Sequence, residues 1–265
     1  MAQKILFINQ ETAPYVPDST MSTLGRKLPT SVIQSDVEVR TFMPKWGIVN
    51  ERRNQLHEVI RLSGMNISIN DTDHPLLIKV ATIPTARVQV YFIDNSDYFK
   101  GRQMRTDEHG KEYTDNVERS IFYARGVLET VKKLRWFPDY VVCQGWISHI
   151  IPFYIRTAFK DEPAFANCKI VSFFFREQLD GQLPANLPQL IGFREGSAER
   201  LIETGIDFTK NDALVRLAAA YSDGVANVAA SPDVAEAITV CKGECLKVKG
   251  LDNLSEQLTQ FLARL

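Results

Sequence analysis

The chain has 265 residues, 45% of them hydrophobic and 24% charged, with 31 basic against 32 acidic residues and a formal net charge of −1. That composition supports a sizeable core, as one large α/β domain or two small ones, and its balanced charge argues against general nucleic-acid binding. Four sparse cysteines give no disulfide framework, no apolar run nears the ~18 residues of a membrane span, and the run over 5–8 lacks the core and cleavage site of a secretory signal; a soluble, cytoplasmic chain with no membrane partner is expected.

In chain order, residues 4–9 (KILFIN) form a continuous apolar run, suited to a strand buried on both faces of a parallel sheet. A turn-rich loop with Pro14, Pro17 and Asp18 follows, then a helix from Thr20 through Leu24, Leu28 and Val32, bent at Pro29. Residues 37–43 predict a second strand and complete a βαβ unit. From about 45 to 95 the pattern is β-rich, with strands over 65–70, 76–82 and 87–94 separated by Asn70-Asp71-Thr72-Asp73 and by Pro84-Thr85. Residues 117–134 predict the clearest helix, because Val117, Ile121, Ala124, Leu128, Val131 and Leu134 step by three or four into one stripe. A strand over 139–144, a helix over 147–159 and a strand over 169–175 come next. Residues 176–210 read as a polar, irregular surface region. A helix over 211–221 and a strand over 224–230 precede Ser231-Pro232, which opens a helix with serine as N-cap and proline at the first position. The tail over 253–265 is amphipathic through Leu254, Leu258, Phe261, Leu262 and Leu265; it packs on its own sheet or, alternatively, forms a homodimer contact. Strand–helix alternation predicts a single α/β domain over 1–265, with a Rossmann-like, doubly wound, mostly parallel sheet and a β-rich insertion at about 45–95.

The best-known phosphate-cradling loops, G-x-G-x-x-G after a strand and G-x-x-x-x-G-K-[ST], are absent. Ser19, Thr20 and Ser22 in the first βα loop are residue types that first of all cap a helix. Cys241-x-x-x-Cys245 has no second ligand pair nearby, so a turn with two free thiols is expected rather than a zinc site. His149 follows a strand end, where α/β active sites often lie, but stands alone. No catalytic residue, metal or cofactor is therefore assigned. Asp94-Asn95-Ser96-Asp97-Tyr98-Phe99 and Asp115-Asn116 with Arg119 form a polar cluster with two readings. Aromatics beside amides and carboxylates suit sugar binding, whereas the same residues also make a hairpin exit and an N-cap.

Several blocks resemble the glycogen and starch synthases. Lys4-Ile5-Leu6-Phe7-Ile8 with Glu11-x-Ala13-Pro14-Tyr15 is similar to their opening, and Arg40-Thr41-Phe42-Met43-Pro44-Lys45 to the segment after their second strand. Val90-Tyr91-Phe92-Ile93-Asp94-Asn95 with Tyr98-Phe99, then Asp115-Asn116-x-x-Arg119-x-x-Phe122-x-x-Arg125, look like the next two blocks. Trp136-x-Pro138-Asp139, the block with Trp146, Pro152 and Tyr154, Ala219-x-Tyr221-Ser222-Asp223 and Ser231-Pro232 follow in order over nearly all of the chain. The likeness is closest to short synthase-like chains of the Bacteroidetes type.

This resemblance implies the N-terminal domain of a GT-B glycosyltransferase, which contacts an acceptor α-glucan, while the sugar nucleotide, normally ADP-glucose, lies mainly against a second domain. Weak or no ADP-glucose binding is then expected of this chain alone. Two motifs depart from the family pattern. Its K-x-G-G-L loop reads Pro17-Asp18-Ser19-Thr20-Met21 here, and its H-x-H-D-W-H block reads Val142-Cys143-Gln144-Gly145-Trp146-Ile147. The expected function is a synthase-like protein of α-glucan metabolism, non-catalytic or partner-dependent. Its residual glucan-facing surface would comprise Tyr15, Asp94, Asn95, Tyr98, Asp115, Asn116, Arg119 and Trp146. Two alternatives stand beside it: an active ADP-glucose-dependent glucosyltransferase working with a separate domain or as an oligomer, and a protein-interaction module without sugar chemistry.

Overall fold

The continuous apolar runs become the centre of one twisted sheet. In the computed structural model, residues 2–33, 37–83, 86–248, 250 and 252–265 are described. Strand β1 (Gln3–Asn9) leads into helix α1 (Thr20–Val32) and β2 (Val37–Pro44). Short β3 (His57–Glu58), β4 (Met65–Ile69) and long β5 (Thr72–Ile83) precede β6 (Val88–Asp94) and helix α2 (Asn116–Leu134). The second half comprises β7 (Tyr140–Gln144), α3 (Ile151–Arg156), β8 (Lys169–Phe174), α4 (Leu187–Ile191), α5 (Ala198–Ile202), α6 (Ala213–Ala220), β9 (Gly224–Asn227), α7 (Pro232–Ala237), β10 (Glu244–Lys247) and α8 (Leu254–Leu262). The strand order is β10-β9-β8-β7-β1-β2-β6-β5-β3, with β4 paired to β5. All pairings from β10 to β6 are parallel, and β5 runs antiparallel to β6, β3 and β4. The sheet is thus the expected doubly wound one, with the 45–95 insertion returning to it through β5 and β6.

Alternation along β1 sets the two layers. Ile5 and Phe7 face a core with Leu24 and Leu28 of α1 and Leu258 and Phe261 of α8. Leu6 and Ile8 face the other way, into the larger core with Val127 of α2 and Tyr154 of α3. Ser19 and Ser22 form a reciprocal capping box at the start of α1, each hydroxyl accepting from the other's backbone N–H, at 2.9 and 2.8 Å. The C-terminal helix lies on its own sheet, as the tail pattern suggested. A Cβ added at Gly224 would lie 2.7 Å from Phe261 Cζ, so the ring rests directly on the β9 backbone.

Several boundaries differ from expectation for identifiable reasons. Strand β5 begins at Thr72 rather than 76, because Asn70 (φ 50°) and Asp71 (φ 61°) adopt left-handed backbone and close a two-residue hairpin. The predicted turn at Pro84-Thr85 lies outside the described residues. The helix expected over 147–159 is a 3₁₀ turn (Trp146–Ser148) followed by α3, since Pro152 lacks an N–H and restarts the helix. Residues 176–210 hold two short helices, α4 and α5, the latter capped by Ser197. Strand β9 stops at Asn227, whose Oδ1 accepts from Ala230 N at 3.0 Å in a turn where Ala229 has φ 51°. Cys245 lies in an edge strand, β10, rather than in a turn.

The Phe261–Gly224 contact yields a stability test. Phe261→Ala is expected to lower unfolding free energy by about 3–5 kcal/mol. Gly224→Ala is expected to cost about 1–3 kcal/mol by pushing the ring off the strand. In the Phe261→Ala background the glycine substitution should lose most of its effect. Urea unfolding of the four proteins checks this, and additive losses would show that the ring and the strand are not in contact.

Candidate functional site

Strand β1 connects rightward to β2 while its other neighbour, β7, belongs to the second half. In open α/β sheets ligands bind outside the strand carboxyl ends at such a switch point. Here protein fills the crevice. Asn9 Nδ2 donates to Thr12 Oγ1 (3.1 Å) and Gly25 O (3.0 Å), while Gln144 Nε2 donates to Asn9 Oδ1 (2.8 Å). Tyr123 Oη donates to Asn9 O at 2.9 Å, and Trp46 Nε1 to Gln10 O at 2.7 Å. Glu11 is 5% exposed; Ser19 Oγ donates to its Oε2 (2.5 Å) and Gln10 Nε2 to its Oε1 (3.1 Å). Burial raises the Glu11 carboxyl above the usual range, against the lowering effect of those two hydrogen bonds. Gly145, at φ +83°, closes the floor: a Cβ there would lie 2.5 Å from Gln10 Oε1 and 2.7 Å from Gln10 Cβ. His149 is buried against Phe174, and burial drives its imidazole down to about 3, so the ring stays neutral. Among the described residues no group of three or more His, Cys, Asp or Glu is placed to hold a metal ion.

The residues singled out from sequence mostly gather around the loop between β6 and α2. Asp94 receives Lys79 Nζ at 2.8 Å, and Lys79 also reaches Glu51 at 2.8 Å, beside a Lys45–Glu51 pair at 2.9 Å. Asn95 Oδ1 accepts from Asp97 N (2.8 Å) and Tyr98 N (3.2 Å). Tyr98 Oη lies 3.1 Å from both His74 Nε2 and Glu118 Oε2, and burial with nearby carboxylates pushes its hydroxyl far up. Asp115 occupies the N-cap position of α2 without capping it; both its oxygens hold Arg102, at 2.6 Å each. Arg119 is fully buried. It donates to Met104 O (2.6 Å), Gln103 O (2.9 Å) and Asn116 Oδ1 (2.8 Å), under the rings of Trp46, Tyr113 and Phe99. Burial and the nearby Arg102 lower its guanidinium to about 10. Asn116 Nδ2 donates to Arg105 O at 2.9 Å. Trp146 is buried beside Trp46, and Tyr15 lies apart from the loop, edge-on to Phe92, with its hydroxyl raised to about 12 by burial. Of the eight, only Asp115 keeps appreciable exposure. Most of them fasten the loop to the sheet, while Asn116 lines one open concavity and Tyr15 another.

Two larger concavities lie further along the rim. One groove of about 730 Å³ lies past the ends of β8 and β9, between the 176–180 segment and the starts of α6 and α7. A second, about 790 Å³, lies between the hairpin over 105–114 and residues 179–185. Both volumes fall in the range of ligand-binding clefts. Sequence reasoning missed these grooves because their residues carry no motif. The one available signal was the density of Asp, Arg, Asn and Thr in a segment read only as polar surface.

The family model described as starch synthase catalytic domain matches residues 4–253. The glycogen synthase of Chlorobium limicola is 30% identical over 231 residues, which is 84% of this chain and 47% of the relative. That of Chlorobium luteolum is 32% identical over 213 residues, 77% of this chain and 44% of the relative. The chain therefore spans about half the length of the relatives it matches. The catalytic domain of starch synthase IV from Arabidopsis thaliana, solved with ADP and acarbose, superposes with a TM-score of 0.75 at 15% identity, over 96% of this chain and 53% of that one. At that identity the likeness establishes the fold, one lobe of the GT-B arrangement. By the span of the family match and the order of its motifs, the chain belongs to the glycogen and starch synthase family of glycosyltransferases.

Proposed function

We propose that this lobe serves α-glucan metabolism as a glucan-binding, synthase-like protein that does not transfer glucose by itself. The observation that carries the reading is what occupies the positions of the family's two reactive motifs. Ser19, in the K-x-G-G-L register, is spent on the α1 cap and on Glu11. In the H-x-H-D-W-H register Gln144 is tied to Asn9, while Val142 and Ile147 are buried apolar side chains. Transfer from a nucleotide sugar builds charge on the departing diphosphate, and removing one preorganised donor typically costs about 10²–10³ in rate. Here several such positions are committed to the fold at once. Binding a glucan draws on the rim grooves instead, which those changes leave open.

The purified chain is expected to cosediment with glycogen and to incorporate no glucose from ADP-glucose above background. Failure to bind glycogen or millimolar maltooligosaccharides sinks the glucan assignment, and steady incorporation sinks the non-catalytic one.

Restoring the motif aspartate should fail for a steric reason. Gly145→Asp places a Cβ on Gln10 in a left-handed backbone, and is expected to destabilise by about 1–3 kcal/mol without producing transfer. Thermal melting beside the transfer assay checks both halves.

The filled crevice also links stability to protons. A carboxyl raised on folding binds more protons in the native state than in the unfolded one. Its favourable contribution is therefore complete below about pH 4.5 and fades as pH rises through the native value. Glu11→Gln keeps the shape, and a flipped Gln10 amide presents its otherwise unpartnered Oε1 to the new NH₂. The variant should have a flatter stability–pH profile and a higher urea midpoint at pH 8. A midpoint at pH 8 below the parent's contradicts this account.

A further inference from the structure

We propose that the two rim grooves are halves of one trough for an extended, uncharged polyhydroxyl chain, crossed by a strap over residues 178–181. The inference rests on the glucan reading above and adds a length requirement to it.

The grooves share Leu179 and Asp180, so they adjoin at this strap. Each is large enough for a small ligand of its own, so one hexose ring fills neither. Their charge is close to balanced. In the first, Arg176, Lys210 and Arg216 stand among four aspartates; in the second, Arg105 and Lys111 face Glu112 and Asp180. A balanced set gives no net pull on a phosphate or a polyanion. It offers donors and acceptors in alternation, which is the demand of sugar hydroxyls. Leu183 and Pro184 add apolar floor for the C–H faces of the rings.

The strap is held from both sides. Glu112, on the hairpin, accepts from Asp180 N (3.0 Å) and Gly181 N (2.7 Å), and pairs with Arg105 Nε at 3.3 Å. Arg105 also reaches the Asp180 carboxylate (3.1 Å) and donates to Gln178 O. From the other side Asn211 Nδ2 donates to Asp180 O at 3.0 Å. The strap packs this closely because residue 181 is glycine: a Cβ there would lie 2.6 Å from Glu112 Oε2. Gly181 has no left-handed φ, so alanine is sterically admissible there and displaces only the Glu112 carboxylate. Glu112 is thus a positioning residue, which sets the strap at the height that lets one chain engage both grooves.

The test is a calorimetric binding series with maltotriose, maltopentaose and maltoheptaose on the full chain. Wild-type affinity is expected to rise by about tenfold or more from the trisaccharide to the heptasaccharide, because engagement of the second groove becomes intramolecular. In Gly181→Ala the ratio of heptasaccharide to trisaccharide affinity should fall most of the way to one. Glu112→Ala, with its fold checked by thermal melting, should lower that ratio too. Measurable binding that does not vary with length overturns the trough and leaves the glucan assignment standing. Heptasaccharide affinity unchanged in both variants overturns the role of the strap. Absence of binding at every length overturns the trough together with the assignment beneath it.

Discussion

The amide of Asn9 is the tie on which the rest of the arrangement depends. Strand β1 sits where the two halves of the fold meet, between β2 and β7, and Asn9 is its last residue. One side chain there holds the exit loop through Thr12, the first helix through Gly25 O and the end of β7 through Gln144. Each partner is buried, and an unsatisfied buried polar group costs about 1–3 kcal/mol. The close approach of α1 follows from the same tie. At Gly25 a Cβ would lie 2.0 Å from Glu11 O, so helix and loop share space only because no side chain stands between them. A switch point sealed in this way leaves little room for a reacting group, and the accessible polar surface moves outward along the rim.

A second constraint fixes that outer rim. Arg119 is a buried cation with no direct carboxylate partner among the described residues; carbonyl oxygens, an amide oxygen and aromatic faces compensate it. A buried charge that loses such partners is expensive, so the loop supplying them is held tightly. Gln103 and Met104 belong to that loop, and the hairpin bearing Arg105 and Glu112 continues directly from it. A desolvated charge in the core thereby sets where the strap contacts are made.

Much of the fold was legible because one pattern dominated locally. The apolar run over 4–9, the stripe on α2 and the Ser231 cap each state their own structure, and each stands where expected. Strand β10 was not legible. Its four residues are mostly exposed and carry no alternation, and only pairing with β9 makes them a strand. The candidate site was legible as a set of positions but not as an environment. Asp115 illustrates the difficulty: an aspartate before a helix signals a cap, yet Arg102, thirteen residues earlier, claims both oxygens. Tyr98 and Trp146 have the residue types of a sugar platform and the burial of a core. Sequence records a side chain's chemistry, whereas burial is decided by segments far away along the chain.

The central place of β1 has a consequence for synthesis. Ile5 pairs with Val39 on one edge and with Tyr140 on the other. At about 5–20 residues per second, the ribosome needs roughly 7–27 s to deliver that second neighbour after β1 has emerged. Throughout that interval the run Ile5-Leu6-Phe7-Ile8 has one unpaired edge and incomplete cover on both faces. An apolar strand in that state is a template for pairing with other nascent chains. A segment that ends fully buried is therefore an exposed liability during translation, and a chaperone engaging the nascent chain would find a ligand there.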